Sequence, residues 1–189
     1  VLVEASDEEG GLLAFELGAD GTAAEILCIP GSGTEGSPGA SHRPRVQMEG
    51  PTVFRRAVEA MGDASLRVLE KAGLGLGDVD LLIPHQANLR IIEATARRLG
   101  LDPARVVVDL DAYGNTSAAS IPIALAEALE QGRVKPGALL VLTAFGGGLT
   151  WAAAAYRWGS RVEPLGASPA ALPPTGAGGL ELMGPNTPL

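Results

Sequence analysis

The chain has 189 residues, 46% hydrophobic and 4% aromatic, with 26 glycines and a formal net charge of −8. This balance suits one α/β domain whose small residues let backbones pack closely, and it excludes a general nucleic-acid binder, which needs an excess of Lys and Arg. A single cysteine, Cys28, excludes an internal disulfide framework and a CxxC zinc site, and no apolar run reaches the roughly 18 residues of a membrane span, so a cytoplasmic protein is expected.

The sequence starts inside a strand-like segment, VLVEAS, without an initiator Met, and is expected to be cut from a longer protein. Three β-type segments open it: Val1–Ala5, Leu12–Leu17 and Glu25–Ile29. In the second, Leu13, Phe15 and Leu17 alternate with Ala14 and Glu16, the period of a half-buried strand. Residues 30–50 are dense in Gly, Ser and Pro and predict a long surface loop that holds a solvated His42. A helix over Thr52–Ala72 follows, with Phe54, Ala57, Val58, Met61, Val68, Leu69 and Ala72 on one face and Gly73 as its stop. Val79–Ile83 reads as a buried strand ending at Pro84-His85-Gln86. A helix over Asn88–Leu99 buries Leu89, Ile92, Ala96 and Leu99 and exposes Arg90, Glu93 and Arg97 before Gly100. Val106–Leu110 predicts another buried strand, and Tyr113-Gly114-Asn115 leads into a helix through Gln131 with Pro122 in its first turn. Ala138–Ala144 and Thr150–Trp158 predict strands joined antiparallel by the tight turn Gly146-Gly147-Gly148. Strand and helix alternate through the middle, so a mostly parallel sheet covered on both faces is expected. Residues 1–158 form the domain; residues 159–189, rich in Pro and Gly, read as a disordered tail whose one apolar anchor is Leu180, Leu182 and Met183.

Chemistry on an open α/β sheet gathers beyond the carboxyl ends of its strands. Three places qualify: His85, Asn115 and the glycine turn. His and Asn side chains and bare backbone amides all present N–H donors, which together suit a thioester oxygen that gains negative charge. Each has a plainer reading as well. A His at a strand end is commonly structural, an Asn can cap a helix, and three glycines can simply turn the chain.

PHQANLRIIEATARRLG (84–100), YGNTSAASIPIALAEAL (113–129) and AFGGGLTWAAA (144–154) resemble the signature blocks of β-ketoacyl-acyl carrier protein synthase III. The likeness runs from residue 1 to about 158 and covers the C-terminal half of that family. It implies a thiolase-like layered fold, of which this chain is the second pseudo-repeat, with a mixed, mostly parallel sheet between helices. The implied activity is decarboxylative Claisen condensation of malonyl-acyl carrier protein with a short acyl-coenzyme A, the start of fatty-acid synthesis. His85 and Asn115 match the catalytic pair that holds the malonyl thioester oxygen. Phe145 with Gly146, Gly147 and Gly148 matches the oxyanion turn, and Phe54, Ala87 and Asn88 match the pantetheine tunnel. Arg90 matches the contact to the acidic carrier protein. By plainer readings, Phe54 belongs to the core of its helix and Arg90 is a solvated charge near Glu93. The resemblance implies acyl carrier protein and acyl-coenzyme A as partners, a homodimer, and no metal or redox cofactor. The family's nucleophile is a cysteine of the first half. Cys28, in strand-like EILCIP, lacks the small-residue turn and helix N-terminus that activate a thiol and is expected to be buried and structural. A separate N-terminal half is therefore expected to supply the nucleophile. A ketosynthase or acyltransferase of secondary metabolism, and a non-catalytic subunit of a split enzyme, are the alternatives. The loop over residues 30–50, Pro51 and the tail depart from the family pattern.

Overall fold

The computed structural model describes residues 7, 10–31 and 45–163. The strand expected at Val1–Ala5, His42, most of the loop after Gly31 and the tail anchor lie outside them. β1 (Gly11–Ala19) is followed by a 3₁₀ turn over Gly21–Ile26 and the two-residue β2 (Leu27–Cys28). β3 (Gln47–Met48) precedes α1 (Gly50–Lys71), β4 (Leu81–Pro84) and α2 (Leu89–Leu99). Next come α3 (Leu110–Tyr113), α4 (Ser120–Glu130), β5 (Leu139–Gly146) and β6 (Thr150–Arg157). No helix among the described residues is long and apolar enough to cross a membrane.

The main sheet has the order β1-β6-β5-β4. β4 runs parallel to β5, while β6 is antiparallel to both β5 and β1. Among the described residues, parallel pairing is thus confined to β4, β5 and a single bridge from Leu82 to Val106, and the sheet is mixed. Helices cover both faces of its centre. On one, α1 and α2 bring Ala64, Val68, Leu69, Ile92, Ala96 and Leu99 onto Leu82, Leu139 and Val141; on the other, Ala124 and Ala128 of α4 meet Leu81, Ile83 and Leu140. β4 therefore buries all four residues, as its unbroken apolar run requires.

Several expectations are corrected. Glu25–Ile29 does not form one strand, because Asp20 caps Thr22 N–H at 3.0 Å and starts a 3₁₀ turn that leaves only Leu27 and Cys28 to pair with Met48 and Gln47. That pairing also gives the end of the predicted surface loop a strand. Cys28 is half-buried rather than buried, its Sγ 3.5 Å from Glu25 O. Val106–Leu110 supplies a bridge and not a full strand, since α3 takes over at Leu110. The helix expected from Asn115 begins at Ser120, after a 3₁₀ turn over Ser117–Ala119, with Pro122 in its first turn. In α1 the buried stripe includes Val53, Ala64 and Ser65, and Phe54 lies half-buried at its margin. Leu89 is exposed because it opens α2.

The largest reversal is in β1. Ala14 packs on the α1 side, and Glu16 accepts from Arg67 Nε at 3.0 Å and Lys71 Nζ at 2.5 Å. These two cations hold the Glu16 carboxylate below its usual range, Lys71 foremost. The apolar alternation therefore points away from α1, leaving Phe15 57% and Leu17 68% exposed.

Gly18 pairs with Trp151, which pairs in turn with Phe145, so one rung crosses β1, β6 and β5. A Cβ on Gly18 would stand 2.2 Å from the Trp151 ring. Gly18→Ala should therefore lower stability by about 1–3 kcal/mol, measured as a fall in the urea midpoint. An unchanged midpoint would show that the indole moves aside without loss.

Candidate active site

β4 and β5 are parallel, so their carboxyl ends lie together. His85 follows β4 directly, and its backbone N–H continues the ladder by donating to Thr143 O at 2.8 Å. Gln86, fully buried, locks the loop behind it. Its Nε2 donates to Pro84 O at 2.8 Å and Val107 O at 3.1 Å, and its Oε1 accepts from Asp109 N–H at 3.1 Å. Every polar group of the amide is thereby engaged, as burial demands. Asn88 caps α2 by accepting from Arg90 N–H at 2.9 Å, which fits its place before the helix.

The second block turns sharply. Gly114 has φ +67°, a conformation that glycine adopts freely. Asn115 Oδ1 then accepts from Ser117 N–H at 2.9 Å. Ser117 itself has φ +55°, the only positive φ among described non-glycine residues, and such strain clusters at functional sites. With Oδ1 occupied, Nδ2 is the remaining polar group of the Asn115 amide, a donor. Three residues beyond Ser117, α4 begins at Ser120, whose Oγ lies 2.6 Å from His85 Nδ1.

These elements enclose a cleft of ≈ 590 Å³ lined by His85, Ser117, Ser120, Phe145 and Gly146, with Trp151 beside them. Leu17, Ala152 and Ala144 are paired residues of three adjacent strands on its wall. Phe145 is buried and belongs as well to an apolar cluster with Met61 and Leu149. Asn115 is exposed and does not line the cleft, but it is held to Ser117, which does. Gly147 and Gly148 form the turn beyond it. A Cβ on Gly147 would meet Leu27 O at 3.1 Å, and Gly148 has φ +137°, so the turn needs small residues at both positions.

The remaining predicted residues stand apart from this cleft. Ala87 donates its N–H to His85 O at 2.9 Å and is half-buried. Phe54 lies under Arg90, whose guanidinium carbon is 5.7 Å from the ring centroid, a cation–π contact that ties α2 to α1. Glu93 pairs with Arg97 at 3.6 Å and Arg98 with Asp63 at 2.7 Å. Sequence reasoning assigned no role to Gln86, Ser117, Ser120 or Trp151. All four stand inside the quoted motifs, and that was their only signal. Asp109, also unmarked, is buried with neither carboxyl oxygen partnered among the described residues, and burial raises its pKa.

Comparison with known proteins agrees with this geometry. The family model described as 3-oxoacyl-[acyl-carrier-protein] synthase III C terminal matches residues 69–158. Those residues are similar to this C-terminal family. The β-ketoacyl-[acyl-carrier-protein] synthase III of Desulfitobacterium hafniense is 51% identical over 159 residues, 82% of this chain and 48% of that protein. The synthase III structure from Thermus thermophilus superposes with a TM-score of 0.75 at 48% identity over 84% of this chain and 50% of its own. The priming β-ketosynthase of the R1128 polyketide pathway gives 0.71 at 38% identity over 82% and 47%. The fold is thiolase-like α/β, and the chain spans about half the length of the curated relatives it matches.

Burial alone lowers the His85 pKa from the ordinary value of 6.5. As pH falls, the unfolded chain takes up this proton first, so the stability contributed by the buried neutral ring is present above about 6.5 and lost below it. An NMR titration of His85 should give a midpoint below 6.5. A midpoint above it would require an anionic neighbour in the folded protein.

Proposed function

We propose that this chain supplies the decarboxylating half of a synthase III condensing enzyme. The observation that carries the reading is that His85 lines one cleft at the end of β4 and β5 together with Ser117, whose N–H holds Asn115 Oδ1. In this reading His85 and Asn115 donate to the malonyl thioester oxygen. The C–CO₂⁻ bond breaks, carbon dioxide leaves, and its electron pair becomes an enolate whose oxygen carries the charge. The α-carbon then attacks an acyl group held as a thioester on a cysteine outside this chain. A carbon–carbon bond forms, and the cysteine leaves as thiolate. Backbone N–H groups of the Gly146–Gly148 turn serve the acyl-transfer oxyanion. No metal or redox cofactor takes part.

Phe54, Ala87 and Asn88 line the approach of the pantetheine arm in this proposal, and Arg90 meets an acidic acyl carrier protein. The exposed apolar residues of β1, Phe15 and Leu17, are the surface that the nucleophile-bearing half and a homodimeric partner would cover. The working location is the cytoplasm. A second reading, a starter-unit ketosynthase of secondary metabolism, is favoured by the likeness to the R1128 enzyme. Condensation rates with a panel of acyl-coenzyme A starters and with fatty-acid and polyketide carrier proteins separate the two.

In the full-length synthase carrying this chain, His85→Ala and Asn115→Ala should each slow malonyl-thioester decarboxylation by about 10²–10³ while the cysteine still acylates. Decarboxylation at the parental rate in either variant would remove that residue from the mechanism. Arg90→Glu should weaken the reaction with carrier protein much more than the reaction with coenzyme A thioesters. The difference should shrink with salt, since exposed charges are screened over about 10 Å at 0.1 M. Equal loss with both substrate types would place carrier-protein docking on another face.

A further inference from the structure

We propose that Ser120 is a positioning residue that fixes His85 as its Nε2–H tautomer. Ser120 is 2% exposed, and its Oγ meets two groups, His85 Nδ1 at 2.6 Å and the Gln86 backbone nitrogen at 3.3 Å. The Gln86 amide has only a proton to offer, so Oγ accepts it. The hydroxyl proton then needs an acceptor of its own, because a buried donor left unmade is destabilising. Nδ1 is the acceptor within reach. Oγ–H therefore donates to Nδ1, and a neutral imidazole that accepts at Nδ1 carries its proton on Nε2.

The reverse arrangement is worse at both ends. With the proton on Nδ1, Oγ would accept twice and its own proton would be buried with no acceptor among the described residues. Nε2 would then offer a lone pair to the cleft that His85 lines, and a lone pair repels a developing oxyanion. The relay Gln86 N–H to Ser120 Oγ–H to His85 Nδ1 makes Nε2 a donor, while Ser117 N–H on Oδ1 holds the Asn115 amide, whose Nδ2 is a donor in any case. Both supporting groups come from the same turn, Asn115 to Ser120. The catalytic consequence rests on the condensing-enzyme reading; the tautomer does not.

The test has a spectroscopic arm and a kinetic arm. In the full chain labelled with ¹⁵N-histidine, the two histidines are distinguished by comparison with His85→Gln. The parent should show His85 Nδ1 unprotonated and Nε2 protonated at neutral pH; a protonated Nδ1 overturns the proposal, also in the event that variants fail to fold. Ser120→Ala should give a mixture of tautomers and Ser120→Thr, which keeps the hydroxyl, should restore the single one. In the full-length synthase, Ser120→Ala should lower kcat for malonyl-thioester decarboxylation about tenfold with KM little changed, and Ser120→Thr should recover most of it. A Ser120→Ala protein that retains both the parental tautomer and the parental kcat overturns the positioning role. A parent that shows the expected tautomer but no decarboxylation refutes the functional reading and upholds the tautomer assignment.

Discussion

Everything at this site hangs from the parallel pairing of β4 with β5. Four residues, Leu81 to Pro84, register against Leu140 to Thr143, and the pair is buried between α2 on one side and α4 on the other. Parallel strands deliver their carboxyl ends to one edge, so the chain leaving β4 and the chain leaving β5 emerge side by side. Pro84 closes β4 without offering an N–H, and the next ladder bond comes from His85 to Thr143. The imidazole therefore stands on a backbone whose position is set by sheet geometry and not by loop preference, which gives a site the rigidity that preorganised donors need.

The blocks over residues 84–100 and 113–129 divide their labour unevenly. Most of the residues quoted from them hold the backbone, and few face the cleft. Gln86 spans three separate carbonyl and amide groups, and Asn88 starts α2. Ser117 and Ser120 orient the two amide- or imidazole-bearing side chains. A buried polar network of this kind is stable only when each member is satisfied, and that requirement explains why such a site arrives as blocks of sequence and not as isolated residues.

The sequence made the long periodic elements legible. α1 and α2 lie within a few residues of where their 3.6-residue spacing puts them, and the buried run before His85 is a strand for the reason its lack of polar residues suggests. Short elements failed where side-chain hydrogen bonds outbid propensity: Asp20 on Thr22 diverts one segment into a 3₁₀ turn, and Asn115 on Ser117 delays α4 by five residues. β1 was read with the right period and the wrong face. Alternation says that two faces differ but not which one meets the core, and here the paired charges Glu16, Arg67 and Lys71 take the inner one. Of the three places expected at one sheet edge, His85 and Gly146 of the glycine turn line the cleft, while Asn115 stands outside it and is joined to it through Ser117. The hydroxyl partner of His85 could not be read from spacing, because 35 residues separate it from the ring.

The rung from Phe145 through Trp151 to Gly18 has an optical consequence. The chain carries two tryptophans. Trp158 donates its indole N–H to Arg161 O at 2.7 Å and leans on Tyr156, whereas Trp151 borders the cleft, packs against the α1-side clusters and keeps its indole N–H buried and unpartnered among the described residues. Any acyl chain or water that enters the cleft changes the polarity around one fluorophore and leaves the other as an internal reference. A shift in Trp151 emission against the constant Trp158 signal would report occupancy of the cleft, in real time and without a label.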